Sequence, residues 1–107
     1  LGIIENMAYF TPEELPDNKY YIFGKQGAQN LAEDKNVPFL GSLPLVQSVR
    51  EAADLGRPAA LQEGTAVQQS ITEVTQNLVT QLLKRNTTLP PTKAVSITNM
   101  VGCEAIK

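Results

Sequence analysis

The amino-acid sequence predicts an α/β fold built on a largely parallel sheet. Three observations lead there. First, the apolar runs Ile3-Ile4 and Phe39 to Leu43 lack the in–out alternation of a strand with one wet face. Strands covered on both faces have this character, and parallel sheets are made of them. Second, β-prone stretches alternate with segments of helical spacing, and such alternation favours parallel pairing through crossovers. Third, 107 residues with 42% hydrophobic and 19% charged side chains describe an ordinary globular chain with one modest core.

Leu1 to Met7 reads as the first strand. The chain opens inside this apolar run, so the expectation is a segment of a longer protein. Phe10 to Asn18 is loop, broken by Pro12, Pro16 and the Asp17-Asn18 pair. Tyr20-Tyr21-Ile22-Phe23 is aromatic and β-branched and predicts a second strand, ended by Gly24. From Gly27, the spacing of Ala28, Leu31 and Ala32 predicts a short helix to about Asp34, with Asn36 as the stop before Val37-Pro38. Phe39 to Leu43 is the next strand, closed by Pro44. Ser48 is the expected cap of a short helix through Val49, Ala52 and Ala53 to Leu55, with Gly56 just past its end. Ala59-Ala60-Leu61 is expected to be a short extended piece. The longest helix runs from about Thr65 to Arg85. Val67, Ile71, Val74, Leu78 and Leu82 keep one apolar face, which Val79 and Leu83 widen. After Pro90-Pro91, the alternation in Lys93 to Thr98 marks a candidate edge strand.

The composition excludes several functions. Nine Lys and Arg against eleven Asp and Glu give a net charge of −2, too little cation for a phosphate-tracking nucleic-acid surface. No apolar run reaches the length of a membrane span. There is no His, hence no imidazole base or ligand, and the single Cys103 cannot form an internal disulfide. Gly24-Lys25 is followed by Gln26 and lacks the upstream glycine of a phosphate-binding loop, so Gly24 and Gly27 read as a turn into a helix. The carboxylate pairs Glu13/Glu14, Glu33/Asp34 and Glu51/Asp54 read as solvated surface. Tyr20, Tyr21 and Phe23 read as core or interface residues, because the cations that accompany base stacking are missing.

Two strand ends carry the remaining signal. In open α/β sheets ligands sit beyond the carboxyl ends of the strands. Asn6 lies at one such end, where an amide can pair with the edge of a purine. Leu43-Pro44 lies at another, followed by Ser48 and Arg50, and an apolar Leu-Pro step can cover a flat ring. The plain alternative is that Pro44 only ends a strand.

Four blocks then appear in register: Leu1-Gly2-Ile3-Ile4-Glu5-Asn6-Met7-Ala8-Tyr9-Phe10; Tyr20-Tyr21-Ile22-Phe23-Gly24; Val37-Pro38-Phe39-Leu40-Gly41-Ser42-Leu43-Pro44-Leu45; and Ser48-Val49-Arg50-Glu51-Ala52. Together they resemble the C-terminal part of the Mrp/ApbC family, the MinD-related P-loop ATPases that carry iron–sulfur clusters. The resemblance implies that residues 1–89 are the C-terminal half of such an ATPase domain, a mostly parallel P-loop NTPase sheet with flanking helices. The phosphate loop and magnesium-binding acids would belong to an N-terminal half outside this sequence, and residues 90–107 would form a tail. It further implies ATP and magnesium as cofactors of the full-length protein, a homodimer, apoprotein cluster acceptors and a cytoplasmic setting, with neither nucleic acid nor membrane as partner. By match, Asn6 would bond the adenine, Leu43 and Pro44 would flank it, and Arg50 would sit near the base or ribose.

Two departures from the family pattern stand out. Members that hold a bridging cluster carry a C-x-x-C after the block matching Tyr9-Phe10, and here Pro12 and Leu15 occupy those places. Neither ligates iron, which argues against an iron–sulfur cluster at that site. Cys103 would substitute only by pairing with another chain. Val46 stands where many relatives have Asp. The expected function is therefore the adenine side of an Mrp-type ATPase active in cluster assembly or transfer, inactive as an isolated segment. A MinD/ParA-like positioning or regulatory ATPase without a cluster is the second reading, and a stand-alone binding module the third.

Overall fold

The computed structural model describes residues 1–96. The chain runs β1 (Ile3–Glu5), α1 (Gly27–Asp34), β2 (Phe39–Ser42), α2 (Gln47–Asp54), a 3₁₀ turn (Ala59–Leu61) and α3 (Ala66–Thr88). The two strands are parallel neighbours, as their double-sided apolar character predicts. Parallel neighbours need a crossover, and α1 supplies it, packing against both strands. The result is a small α/β unit.

The register slips within this pair. Ile3 faces Phe39 but Ile4 faces Gly41, so the ladder skips Leu40. Such a bulge frees backbone groups that must be satisfied elsewhere. Asn77 of α3 meets the need, donating its Nδ2–H to the Leu40 carbonyl at 2.9 Å. Gly41 completes the arrangement with φ +140°, and a Cβ there would lie 2.8 Å from Cγ2 of Val74. α3 therefore comes close enough to β2 to bury Val74 only because residue 41 has no side chain.

α3 starts where the sequence expects it. Thr65 caps it, its Oγ1 accepting from the Gln68 N–H at 3.1 Å. Its apolar face is only partly covered. Val67 and Val74 are buried, whereas Leu82 and Leu83 are 42% and 62% exposed. Length explains the difference. A 23-residue helix is about 34 Å long, while the four residues of β2 span about 13 Å.

Four expectations are corrected. Tyr20 to Phe23 is no strand: Tyr20 makes a single antiparallel bridge to Phe10, and the chain then turns, the Gly24 N–H bonding the Tyr21 carbonyl at 3.3 Å. β-prone side chains form a strand only when a neighbour offers a ladder, and beyond Phe10 there is none. Ser48 lies inside α2, whose cap position is Val46, in extended conformation and without a side-chain cap bond. Pro44, two residues earlier, already sets the direction into the helix. Ala59–Leu61 is a 3₁₀ turn, with the Leu61 N–H bonded to the Pro58 carbonyl at 3.0 Å. The candidate edge strand is not present over residues 93–96, and residues 97–98 and Cys103 lie outside the described residues. Gly56, at φ +66°, does terminate α2 as expected.

The core is thin. Among the described residues only Ala8, Ala32, Leu40, Ala52, Val67 and Val74 are buried.

Candidate functional site at the carboxyl ends of the strands

Past their formal ends, the two strands stay paired. The Leu43 N–H bonds the Glu5 carbonyl at 2.8 Å, the Ala8 N–H bonds the Leu43 carbonyl at 2.9 Å, and the Leu45 N–H bonds the Tyr9 carbonyl at 2.8 Å. Asn6 lies between Glu5 and Ala8, the two residues that bracket Leu43. The sequence-predicted residues Asn6, Leu43 and Pro44 therefore meet at the carboxyl end of the sheet.

The backbone at this point is unusual. Met7 has φ +54°, in the left-handed region that a non-glycine residue adopts at a cost. Asn6 offsets part of that cost, its Oδ1 accepting from the Met7 N–H at 3.0 Å. That bond fixes the carboxamide and leaves its Nδ2 donors free at the exposed surface. Leu43 and Pro44 are half-buried beside it.

Arg50 stands on α2 in an exposed position. Its Nε lies 3.9 Å from the Asp54 carboxylate, one helical turn away. Among the described residues no hydrogen bond joins it to Asn6, Leu43 or Pro44. The carboxylate pairs are exposed, as expected.

A cleft of about 530 Å³ adjoins the strand ends, lined by Phe10 to Glu14 on one side and Leu45 to Ser48 with Glu51 on the other. It contains none of Asn6, Leu43, Pro44 or Arg50. Of the positions noted above as departing from the family pattern, Pro12 and Val46 line it and Leu15 does not. Where a thiolate and a carboxylate would make this wall polar, the chain presents a ring and two methyl groups. Among the described residues, no group of three or more His, Cys, Asp or Glu side chains is placed to hold a metal.

One residue of the junction escaped the sequence reading. Glu5 points between the elements, Oε1 accepting from the Ala28 N–H at 3.3 Å and Oε2 from the Ser42 hydroxyl at 3.4 Å. The residue preceding α1, Gln26, makes no side-chain cap bond, so the strand carboxylate serves the helix N-terminus instead. The signal was a carboxylate directly after Ile3-Ile4, where an apolar residue would continue the run.

The fold defines the class: part of a parallel α/β domain with open strand ends. Comparison with known proteins narrows it. The ParA family model for NUBPL iron-transfer P-loop NTPases matches residues 1–82, and the chain belongs to that family. It is 44% identical over 63 residues to an iron–sulfur cluster carrier protein of Synechocystis, covering 59% of this chain and 18% of that protein. A carrier protein of Pyrococcus furiosus is 39% identical over 82 residues, covering 77% of this chain and 28% of the relative. The iron–sulfur cluster transfer protein NUBPL of Dictyostelium discoideum is 31% identical over 83 residues, covering 77% and 25%. The chain thus spans only 18–28% of the length of these relatives. No helix among the described residues is long and apolar enough to cross a membrane.

Proposed function

We propose that this chain contributes the adenine side of the nucleotide site in an ATP-dependent protein of iron–sulfur cluster assembly or transfer. One observation carries the reading: the bonds around Leu43 hold the Asn6 turn against the Leu43-Pro44 step at the open strand ends. A carboxamide with free donors beside an apolar step suits an aminopurine, the amide reading the ring edge while Leu43 and Pro44 cover its face. Arg50, one turn into the next helix, is free to swing from Asp54 toward the ribose. ATP and magnesium would be completed by a phosphate-binding loop outside this sequence, and the chain by itself would not hydrolyse ATP. The cluster is cargo in this reading, passed to apoprotein acceptors in the cytoplasm. In the full-length protein, Asn6→Ala weakens ATP binding by about 1–2 kcal/mol, the worth of a buried hydrogen bond. Calorimetric titration showing unchanged affinity would remove Asn6 from the site.

A second reading is favoured by Pro12 and Leu15. With no thiolate at either place, the full-length protein would use nucleotide to regulate or position a partner, as MinD- and ParA-like ATPases do, without holding a cluster there. Iron and sulfide analysis after anaerobic reconstitution separates the two. A stoichiometric cluster supports the carrier, and its absence supports the regulator.

A further inference from the structure

Among the described residues, Glu5 is the one carboxylate bonded to separate elements of the chain. Glu33, Glu51 and Asp54 find their partners within their own helices, and Asp34 meets its neighbour Lys35. Glu5 reaches two elements at once. Its Oε1 accepts from the Ala28 N–H in the first turn of α1 at 3.3 Å, and its Oε2 accepts from the Ser42 hydroxyl at the end of β2 at 3.4 Å. Its own carbonyl accepts from the Leu43 N–H at 2.8 Å. Three bonds thus fix one residue, and the next residue in the chain is Asn6.

The turn that follows needs support from both sides. Met7, at φ +54°, is strained, and a strained residue persists only where its surroundings over-determine it. Asn6 supplies one local bond, to the Met7 N–H. The far side of the turn is pinned by the Ala8 N–H on the Leu43 carbonyl. The near side is pinned by Glu5. Bonds to a carboxylate are stronger than bonds between neutral groups, and these two are part-buried. Without them the end of β1 would keep only its backbone bond to Leu43, and the first turn of α1 would lose its acceptor.

We infer that Glu5 is a positioning residue for the base end of the nucleotide site, holding Asn6 and Leu43 at the separation an adenine ring requires. This rests on the function proposed above and deepens it. The Glu5 carboxylate is engaged by Ala28 and Ser42, so it acts through its neighbours: Asn6 follows it directly, and Leu43 follows Ser42. A carboxamide reads a ring edge only within about 2.7–3.2 Å, and a misplacement of about 1 Å is enough to lose such a contact. In that reading the groups that grip the phosphates lie outside this sequence, so Glu5 governs the base and leaves the phosphates alone. Glutamine can replace it bond for bond, its Oε1 accepting from Ala28 and its Nε2 donating to the Ser42 hydroxyl, whereas alanine keeps neither bond.

Calorimetric titration of the full-length protein with two probes, ATP and inorganic tripolyphosphate, each with magnesium, tests the assignment. Glu5→Ala is expected to weaken ATP binding about five- to tenfold, as the loss of one hydrogen bond at the base does. Tripolyphosphate binding by the same variant is expected to stay within about twofold of the wild type, as for well-separated groups, which also shows that the variant is folded. Glu5→Gln is expected to keep most of the affinity for ATP. Asn6→Ala, measured alongside, reports on the adenine reading itself. If Asn6→Ala weakens ATP binding and Glu5→Ala does not, the positioning role is overturned and the adenine reading stands. If Asn6→Ala leaves ATP binding unchanged, that reading falls and the positioning role falls with it. Equal weakening of both probes by Glu5→Ala would make Glu5 a support of the fold alone and overturn the assignment. A Glu5→Gln variant as damaged toward ATP as Glu5→Ala would overturn it too.

Discussion

The junction of β1, β2 and α1 and the segment that leaves it, residues 9 to 25, draw on similar residues with opposite results. In the junction, short apolar runs and a few polar side chains are locked together. Glu5 ties β1 to Ser42 and to the first turn of α1, and Asn77 reaches across from α3 to the carbonyl that the bulge sets free. In the segment, four successive β-prone residues are left largely in the open. Hydrophobicity is not the difference. Ala32 and Leu40 in the junction have neighbours that bury them, whereas no such neighbour covers Tyr20 to Phe23 among the described residues. Burial depends on what arrives from elsewhere in the chain, and where nothing arrives an apolar side chain remains exposed.

The sharpest way to break the comparison is to put a side chain where α3 meets β2. Gly41 combines φ +140° with Cγ2 of Val74 only 2.8 Å from the position of a Cβ. Gly41→Ala is expected to cost about 2–4 kcal/mol, from backbone strain and the overlap together. Urea denaturation reads this as a lower midpoint. Pairing it with Val74→Ala removes the overlapping methyl, so the double variant loses less than the sum of the two single losses. Strict additivity would mean that the two residues do not meet.

A smaller effect sharpens the account of the bulge. Asn77→Ala leaves the Leu40 carbonyl without its partner in a part-buried position. The expected loss is about 1–2 kcal/mol, the cost of stranding one backbone acceptor. Asn77→Gln, with a longer reach, should recover little of it. A loss within about 0.5 kcal/mol, the range of ordinary surface changes, would show that water serves the carbonyl equally well.

The same comparison explains what could be read from the sequence. β1, β2 and the three α-helices announce themselves because local pattern and tertiary burial agree there, down to the start of α3 near Thr65 and Gly56 as a stop. Asn6 and Leu43-Pro44 were legible as neighbours because strand ends in a parallel sheet fall on one side by geometry. Tyr20 to Phe23 misled because β-propensity describes a preference for a pleated, half-buried surface, and no second strand provides one. Leu82 misled for a related reason: helical spacing says which face is apolar, not how far the supporting sheet extends. Glu5 was invisible as a helix partner because its bond to Ala28 spans 23 positions of the chain, a separation no local pattern records.

The smallest expected effect is the most telling for the loop. Ile22 is 60% exposed. Ile22→Ser in the monomer is therefore expected to change stability by less than about 0.5 kcal/mol, as surface substitutions do. The comparable truncation of a buried residue, Val74→Ala, removes packing against the sheet and should cost about 1–3 kcal/mol. Measured side by side in urea at low protein concentration, the two values rank the regions directly. If Ile22→Ser cost as much as Val74→Ala, the residue would have to be packed within its own chain, and the distinction between a completed junction and an uncompleted loop would fail.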